Sequence, residues 1–312
     1  MKVRTLEPSE LEFVGALLFQ VFNRIAGRHG YRPPWPDENS AAALLSRYRR
    51  LEPQLVVVAE EGGAVIGVGA ARVRGEVATI GPIAAYVEGH GVGGGIIDEL
   101  IARTDSAGAM ATRLHVDGWN PSAYALYAGR GFAAVDNAMH LERKPGPVTS
   151  LDSSRGLEVR AAEARDFDAI RRLDQRLTGN ERGEDLSRMV RLVARRRGEV
   201  VGFLGAQKVD GPGRAGVTRL GPGVAVDASD LVTLIAGALA VANGGAPEIS
   251  PETPWIAGED TIEIRLSTAA SAVSMAALGL GFRVRELGII MSRGALPPAR
   301  PPQLYSIDPE IL

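Results

Sequence analysis

Apolar and polar residues alternate along the first half of the chain with two different periods. Apolar side chains at positions 11, 14, 17, 18 and 21 follow the three- and four-residue spacing of an amphipathic helix. Runs rich in valine, isoleucine and alanine between glycines have the composition of strands. The pattern predicts helices over residues 9–24, 40–50, 94–104 and 122–129, and strands over 55–60, 64–72, 77–85, 113–116 and 132–142. The first half is therefore a domain of mixed α and β elements.

The same pattern of glycines and apolar residues occurs a second time. Residues 58–67, which begin Val-Ala and carry glycine at 63 and 67, recur at 193–202 with identical spacing. The dipeptides Gly-Pro and Gly-Phe, at 81–82 and 131–132, recur in the same order at 221–222 and 281–282. A polar, proline-bearing run separates the copies. We predict an α/β (α+β) chain with domains at 1–148 and 156–312, joined by a linker at 149–155.

Composition excludes several functional classes. The chain has 312 residues, 45% of them hydrophobic, which is enough for two cores. Its net charge of -2 and lack of long charged runs give no sign of nucleic-acid or membrane-surface binding. With no cysteine and four scattered histidines, a metal site is not expected. The beginning of the sequence has no apolar leader and no stretch is long enough to span a bilayer, so we expect a cytoplasmic protein without membrane or nucleic-acid partners.

Five glycines stand between a predicted strand and a predicted helix. They are Gly89, Gly91, Gly93, Gly94 and Gly95 in the sequence EGHGVGGGII. Glycine accepts positive φ and lets a ligand approach the backbone, and the first amides of a helix favour anions. The turn is therefore a candidate cradle for a pyrophosphate, although such turns also serve purely steric needs. A dinucleotide oxidoreductase would use a similar turn, but the hairpin predicted at 60–65 argues against its parallel βαβ repeats.

Two motifs and the order of elements resemble the GNAT N-acetyltransferase superfamily. The family's pyrophosphate loop, Gln/Arg-x-x-Gly-x-Gly/Ala, falls on residues 88–93. Its Asn-x-x-Ala-x-x-Leu-Tyr-x-x-x-Gly-Phe signature is matched by Asn120, Ala123, Leu126, Tyr127, Gly131 and Phe132. The resemblance implies two tandem GNAT-like domains, each a mixed, mainly antiparallel twisted sheet flanked by helices.

The resemblance also implies a donor and a reaction. The donor would be acyl coenzyme A, with acetyl as the default acyl group, and the amine would attack the thioester directly without an acyl-enzyme. Cofactor-binding residues would be Ile83, Ala84, Ala85, Gly89, His90, Gly91, Val92, Gly93, Gly94, Gly95, Asn120, Ala123 and Tyr127. Tyr127 matches the family's general acid, and a phenol with a pKa near 10 can donate at neutral pH. Packing beneath the donor is the alternative role for this tyrosine.

The general base and the acceptor are less well defined. Glu76, His115 and Asp117 are the candidate bases, with a water chain or simple exposure at strand ends as the alternatives. Tyr31 and Trp35 lie in the loop between the first two helices, which covers the acceptor site in the family, although packing at the domain edge would equally explain them. The expected acceptor is a small-molecule or peptide amine, and the protein is expected to be a monomer or homodimer.

Two departures from the family pattern bear on activity. Glu88 stands where the family usually has a cation or an amide, so its carboxylate must point away from the phosphates or be neutralised, for which His90 is the candidate. In the second copy, residues 224–237 have no glycine run and Ala277 takes the position of Tyr127. We therefore expect catalysis in the first domain and a structural or acceptor-shaping role for the second. The alternative is a non-catalytic GNAT-like protein that binds coenzyme A or a metabolite.

Overall fold

A computed structural model describes residues 1–32, 34–147, 156–179, 182–209, 216–243, 255–294 and 303–305. Residue contacts divide the chain into two compact units. Unit 1 comprises residues 1–133, 211–214 and 291–296, and unit 2 comprises 134–210, 215–290 and 297–312.

The described residues of unit 1 up to Ala128 form five strands and four α-helices. In chain order they are β1 Lys2–Thr5, α1 Leu11–Arg28, α2 Glu38–Leu51, β2 Val56–Glu61, β3 Ala64–Arg74, β4 Val77–Ala85, α3 Val92–Ser106, β5 Ala111–Asp117 and α4 Pro121–Ala128. Every helix and strand predicted for residues 9–129 is present. The main difference is α1, which continues four residues beyond the predicted end, to Arg28.

The sheet of unit 1 opens between its last two strands. β1 to β4 are antiparallel neighbours in chain order, whereas β5 pairs in parallel with β4 only over Val77–Thr79 and Ala111–Arg113. A register shift in β4 lies between Ile80 and Ile83, and the hydroxyl of the buried Tyr48 on α2 donates to the carbonyl oxygen of Gly81 inside it at 2.7 Å. β4 and β5 therefore diverge toward their carboxyl ends.

Close packing of α3 on β3 fixes where the glycine turn lies. A Cβ added at Gly67 of β3 would lie 2.7 Å from Val92 Cγ1 and 2.8 Å from Ile96 Cδ1, and one at Gly69 would also collide with Ile96. α3 can rest this close to the sheet because these two strand positions have no side chain. On the other face, apolar residues of α1 and α2 form a core with β2 and β3 that includes Leu18, Leu45 and Val58.

Unit 2 repeats the plan with its own elements. They are β6 Ala133–Arg143, β7 Leu157–Ala161, α5 Phe167–Thr178, α6 Gly183–Met189, β8 Val190–Arg196, β9 Glu199–Val209, β10 Val217–Ala225, α7 Ala228–Ala242, β11 Thr261–Ser267, α8 Ser271–Gly279, β12 Arg283–Gly294 and β13 Gln303–Tyr305. The register shift of β4 recurs in β10 between Leu220 and Gly223. The predicted mixed, mainly antiparallel α/β fold with an internal repeat is confirmed.

The compact units do not coincide with the sequence copies at two strands, β6 and β12. β6, the last strand predicted for the first copy, pairs antiparallel with β11, and its residues from Ala134 onward belong to unit 2. The end of β12 from Met291 onward belongs to unit 1, where Ser292 Oγ donates to Thr112 O at 3.3 Å. The domain limits 1–148 and 156–312 stay a prediction, and the proposed linker 149–155 lies outside the described residues.

Candidate active site

The glycine turn opens α3 with bare backbone. Gly89 and Gly91 take left-handed φ angles of 79° and 76°, and Gly91 is the N-cap residue of α3 with no side-chain cap. The first intrahelical bond runs from Gly95 N to Gly91 O at 2.9 Å, so no helix carbonyl accepts from the amides of the three preceding residues. Uncapped amides at the positive end of a helix dipole are suited to a phosphate.

The other three glycines have a different role from the one expected. Gly93, Gly94 and Gly95 are helical, so they do not need positive φ. A Cβ on Gly94 would lie 2.7 Å from Arg130 Nη2, and one on Gly95 would lie 2.5 Å from Met1 Cε. Arg130 is held there by Asp98 at 2.6 and 3.0 Å. The missing side chains thus admit neighbouring groups of the protein, including one cation, to the first turn of α3.

Glu88 is neutralised by arginines rather than by histidine. Its Oε1 lies 2.8 Å from Arg28 Nη1 and 3.9 Å from Arg24 Nη2. His90 Nδ1 instead contacts the main-chain oxygen of Glu88 at 2.9 Å. Arg24 also donates to Tyr86 O at 2.9 Å and lies over the Tyr86 ring, 5.3 Å from its centroid. The expected role of His90 as the counter-charge is therefore wrong, because Arg28 and Arg24 of α1 pair with the Glu88 carboxylate instead.

Tyr127 of α4 is buried and keeps its proton. Its ring packs edge-on against Phe132 with centroids 6.2 Å apart. Burial, followed by the negative charge of Asp117, raises the pKa of Tyr127 to about 12. The phenol is therefore neutral at physiological pH and can act as a proton donor.

The candidate bases fall in two places. His115 and Asp117 lie at the end of β5 on one face, with 3.9 Å between His115 Nδ1 and Asp117 Oδ1. Glu76 lies exposed in the turn before β4, where its carbonyl accepts from Met110 N at 2.8 Å. Since that turn adjoins the start of β5, Glu76 is about 13 Å of strand away from His115. The structure brings His115 and Asp117 together and leaves Glu76 at the opposite end.

Asn120 has a local structural role within its motif. It is the N-cap residue of α4, and its side-chain oxygen accepts from Ala123 N at 3.1 Å. This bond explains the three-residue spacing of Asn and Ala. Among the β4 residues proposed to line the donor, Ala84 is buried in the core with α1 and α2, while Ile83 and Ala85 are half-buried.

The two aromatic residues of the loop between α1 and α2 pack against different parts of unit 1. Tyr31 stacks on Trp119, with centroids 5.1 Å apart and planes 16° apart, and His29 lies 5.0 Å from the same ring. Trp35 packs edge-on against Phe22 at 4.8 Å and joins the core under α1 and α2. Trp119 follows the end of β5 by two residues, so Tyr31 lies near the candidate bases and Trp35 does not. Sequence reasoning missed Trp119, whose place directly after the strand carrying His115 and Asp117 was the available signal.

At the start of α7, unit 2 has acidic side chains where unit 1 has uncapped backbone amides at the start of α3. α7 begins after Asp227, and the carboxylate of Asp230 in its first turn is fully buried. Asp230 Oδ1 accepts from Arg196 at 2.5 Å, and burial raises the pKa of Asp230. Ala277, at the position of Tyr127, is buried in the core. Two acidic side chains in and before its first turn make this helix terminus unsuited to a phosphate.

Among the described residues, no group of three or more histidines and acids is placed to hold a metal ion. In the same part of the chain, no helix is both long and apolar enough to cross a membrane.

Comparison with known proteins agrees with the geometry. Residues 20–132 match the family model described as Acetyltransferase (GNAT) family. No curated protein sequence matches the chain. Solved structures with a similar fold include a proposed acetyltransferase from Pyrococcus horikoshii (14% identity, 94% of this chain and 89% of that chain, TM-score 0.66) and a GCN5-related N-acetyltransferase from Sphaerobacter thermophilus (13%, 95% and 96%, 0.63).

A third similar structure bears on the repeat. It is a tandem GNAT protein from the clavulanic acid biosynthesis pathway, with 14% identity over 95% of this chain and 99% of that chain and a TM-score of 0.58. At these identities the likeness concerns the fold alone. The glycine turn, Tyr127 and the signature around it lie inside the matched segment. Residues 20–132 are therefore a domain of the GNAT acetyltransferase family, in a chain with the fold of a tandem GNAT protein.

Proposed function

We propose that the chain is an N-acyltransferase that moves an acyl group, acetyl by default, from acyl coenzyme A to a primary amine of a small molecule or peptide. The observation that carries the proposal is the uncapped, glycine-bearing start of α3 together with the protonated Tyr127 in one family-matched segment. The first feature suits a pyrophosphate and the second suits a departing thiolate. The amine would attack the thioester directly without an acyl-enzyme, as the family resemblance implies, and a chain without cysteine is consistent with this.

The residues present fit an acyl coenzyme A donor. The amides of Val92 to Gly94 would hold the pyrophosphate, since Gly95 N already donates to Gly91 O, and β4 from Ile83 to Ala85 would lie along the pantetheine arm. Glu88 does not stand unpaired at the turn, because its carboxylate lies 2.8 Å from Arg28 and 3.9 Å from Arg24. The donor supplies the acyl group as a thioester.

Two proton transfers are assigned to side chains of unit 1. His115, which has Asp117 3.9 Å away, accepts the proton that the acceptor ammonium must lose before its nitrogen can attack the carbonyl carbon. As the C–S bond breaks, Tyr127 Oη donates its proton to the sulfur. Glu76 is too far along the sheet to share these roles with His115.

The acceptor is proposed to carry a flat or apolar group. Tyr31 and Trp119 present stacked rings near the end of β5, and aromatic surfaces of this kind favour planar or apolar partners. Trp35 is assigned to the core instead. The second unit is assigned a structural role, because the first turn of α7 carries the acid Asp230 and has no run of glycines.

The test is turnover by the full-length protein. Acetyl coenzyme A is incubated with a panel of primary amines, and both thiol release and the acetylated amine are measured. Turnover should fall on the order of a hundredfold in His115→Gln, the size typical of a lost general base. His140→Gln is the matched control, since His140 also faces an acid, Glu286 at 4.0 Å, but lies on β6. Coenzyme A binding without thiol release for any amine would favour the non-catalytic alternative, and absence of coenzyme A binding would reject the proposed acyltransferase.

A further inference from the structure

Two arginines on the last turns of α1 flank the glycine turn. Arg24 and Arg28 are four residues apart, so they share one face of the helix. Arg28 lies 2.8 Å from the Glu88 carboxylate, and Arg24 lies 3.9 Å from it while also bonding to Tyr86 O. Both guanidinium groups therefore lie beside the six-residue connection between β4 and α3. At the start of α7 the second unit has two acids, Asp227 and Asp230, against the single arginine Arg196.

We infer that Arg24 and Arg28 are phosphate ligands of the donor, and that Glu88 is the counter-ion they exchange for it. This inference rests on the proposed function. It assigns to α1 the positive charge that the loop entrance itself lacks. The local charge is two arginines against one carboxylate, which leaves an excess of +1 facing an anion.

The ion pair with Glu88 is of a kind that is easily exchanged. Arg28 and Glu88 side chains are 55% and 53% exposed, and exposed pairs of this type contribute little to stability. A phosphate offers more acceptor oxygens and more charge than a carboxylate, and arginine binds it through two parallel hydrogen bonds. Replacement of Glu88 by phosphate is therefore favourable for Arg28.

Arg24 is held in place independently of Glu88. Its guanidinium stays at the turn through Tyr86 O at 2.9 Å and through the Tyr86 ring. Its Nε makes no hydrogen bond to any described residue. Arg24 is therefore a preorganised cation at the turn, and Arg28 is the partner that changes its acceptor.

Charge-neutral variants of the two partners distinguish this role from a structural one. Coenzyme A affinity is measured by calorimetric titration for wild type, Arg28→Gln, Arg24→Gln and Glu88→Gln, at two salt concentrations. If the arginines bind phosphate, each arginine variant should bind roughly five- to tenfold more weakly, the scale of one charge-assisted contact. Glu88→Gln should bind about two- to fivefold more tightly, since a competing charge is removed. Salt should weaken wild type more than the arginine variants.

The deciding feature is that the arginine variants and Glu88→Gln should change the coenzyme A affinity in opposite directions. An ion pair with a purely structural role would be broken by either change, so Arg28→Gln and Glu88→Gln would then shift the affinity in the same direction or not at all, and the inference would be overturned. Pantetheine, which has no phosphate at its end, serves as the second probe and should bind all four proteins equally. Unequal binding of pantetheine would also count against phosphate contacts.

The controls separate this inference from the proposed function. Arg50→Gln removes the same charge from α2, next to the segment that meets the far end of α3, where Arg103 donates to Gln54 O at 2.5 Å. It should bind coenzyme A like wild type. Failure of the wild-type protein to bind coenzyme A would reject the proposed function and the inference together. Wild-type binding with unchanged affinity in Arg24→Gln and Arg28→Gln would reject the inference alone.

Discussion

At the scale of single residues, the phenol of Tyr127 is set by its surroundings to hold a proton. Burial and the nearby Asp117 both disfavour the phenolate, and together they raise the pKa to about 12. A general acid with a pKa this high stays protonated through the whole pH range in which the amine acceptor titrates. Asp117 thus affects both candidate groups. It lies 3.9 Å from His115, and its negative charge contributes to the raised pKa of Tyr127.

Removal of this hydroxyl should slow the reaction without loss of donor binding. We expect Tyr127→Phe to lower kcat on the order of a hundredfold, because only the proton donor is removed. Coenzyme A affinity should change by less than about twofold, since the ring still packs on Phe132. Steady-state kinetics and calorimetry measure the two quantities. Tyr124→Phe is the control on the same helix, and its side chain is exposed.

The pH profile provides a second check on Tyr127. With a pKa of about 12 the tyrosine stays protonated up to strongly alkaline pH, so it should cause no fall of kcat between pH 7 and 10. A falling limb in that range that disappears in Tyr127→Phe would contradict the assignment. Equal kcat for Tyr127→Phe and wild type would leave the tyrosine with a packing role only.

At the scale of elements, the glycines of unit 1 differ in the backbone conformation that their positions require. Gly27 lies in the last turns of α1 with helical geometry, while Gly91 precedes α3 with a φ of 76°. An added Cβ would meet nothing within 4 Å at either position. The same substitution therefore tests backbone conformation alone at both sites.

We predict opposite effects of alanine at these two glycines. Gly27→Ala should stabilise the protein by up to about 1 kcal/mol, because alanine is the better helix former. Gly91→Ala should destabilise it by about 1 to 2 kcal/mol, the cost of a left-handed conformation for a residue with a Cβ. Urea unfolding of both variants measures the difference. A shift of the same sign in the two would show that the turn does not require its left-handed glycine.

Sequence pattern was sufficient for the elements and insufficient for their long-range partners. The period of apolar residues located α1, β3 and β4, because it records which side of each element is buried. The same period predicted that α1 ends before Arg28. The ion pair of Arg28 with Glu88 joins positions 60 residues apart, and no local sequence pattern contains such a contact. The membership of β6 in unit 2 was hidden for the same reason, since its apolar pattern fits any sheet edge.

At the scale of the whole molecule, each unit has the same clasp between its first strand and first helix. In unit 1, Arg4 of β1 binds Glu10 through two bonds of 2.8 and 2.6 Å, and Glu7 N donates to Glu10 at 3.0 Å. In unit 2, Arg160 of β7 binds Asp166 at 2.7 and 2.8 Å. The amide of Glu163 donates to Asp166 at 2.9 Å. The spacing of arginine, acid and acid is identical, so the repeat extends to elements for which the sequence comparison gave no match.

The two clasps make both units depend on ionised carboxylates. The hydrogen bonds from Arg4 lower the pKa of Glu10, and those from Arg160 lower the pKa of Asp166. A carboxyl whose pKa is lower in the folded than in the unfolded state binds fewer protons when folded. Its contribution is therefore fully present above the unfolded pKa of about 4, and it is lost as the pH falls through the folded pKa.

We predict that neutral variants of these acids lose stability at pH 7 and lose much less at pH 3. Asp166→Asn, at the more buried site, should cost about 2 kcal/mol at pH 7, and Glu10→Gln about 1 kcal/mol, the range for hydrogen bonds to charged groups. Urea unfolding at both pH values measures this, and the two costs should add in the double variant because the sites lie in different units. A gap between variant and wild type that stays the same at pH 3 would show that the carboxylates act through packing and not through their charge.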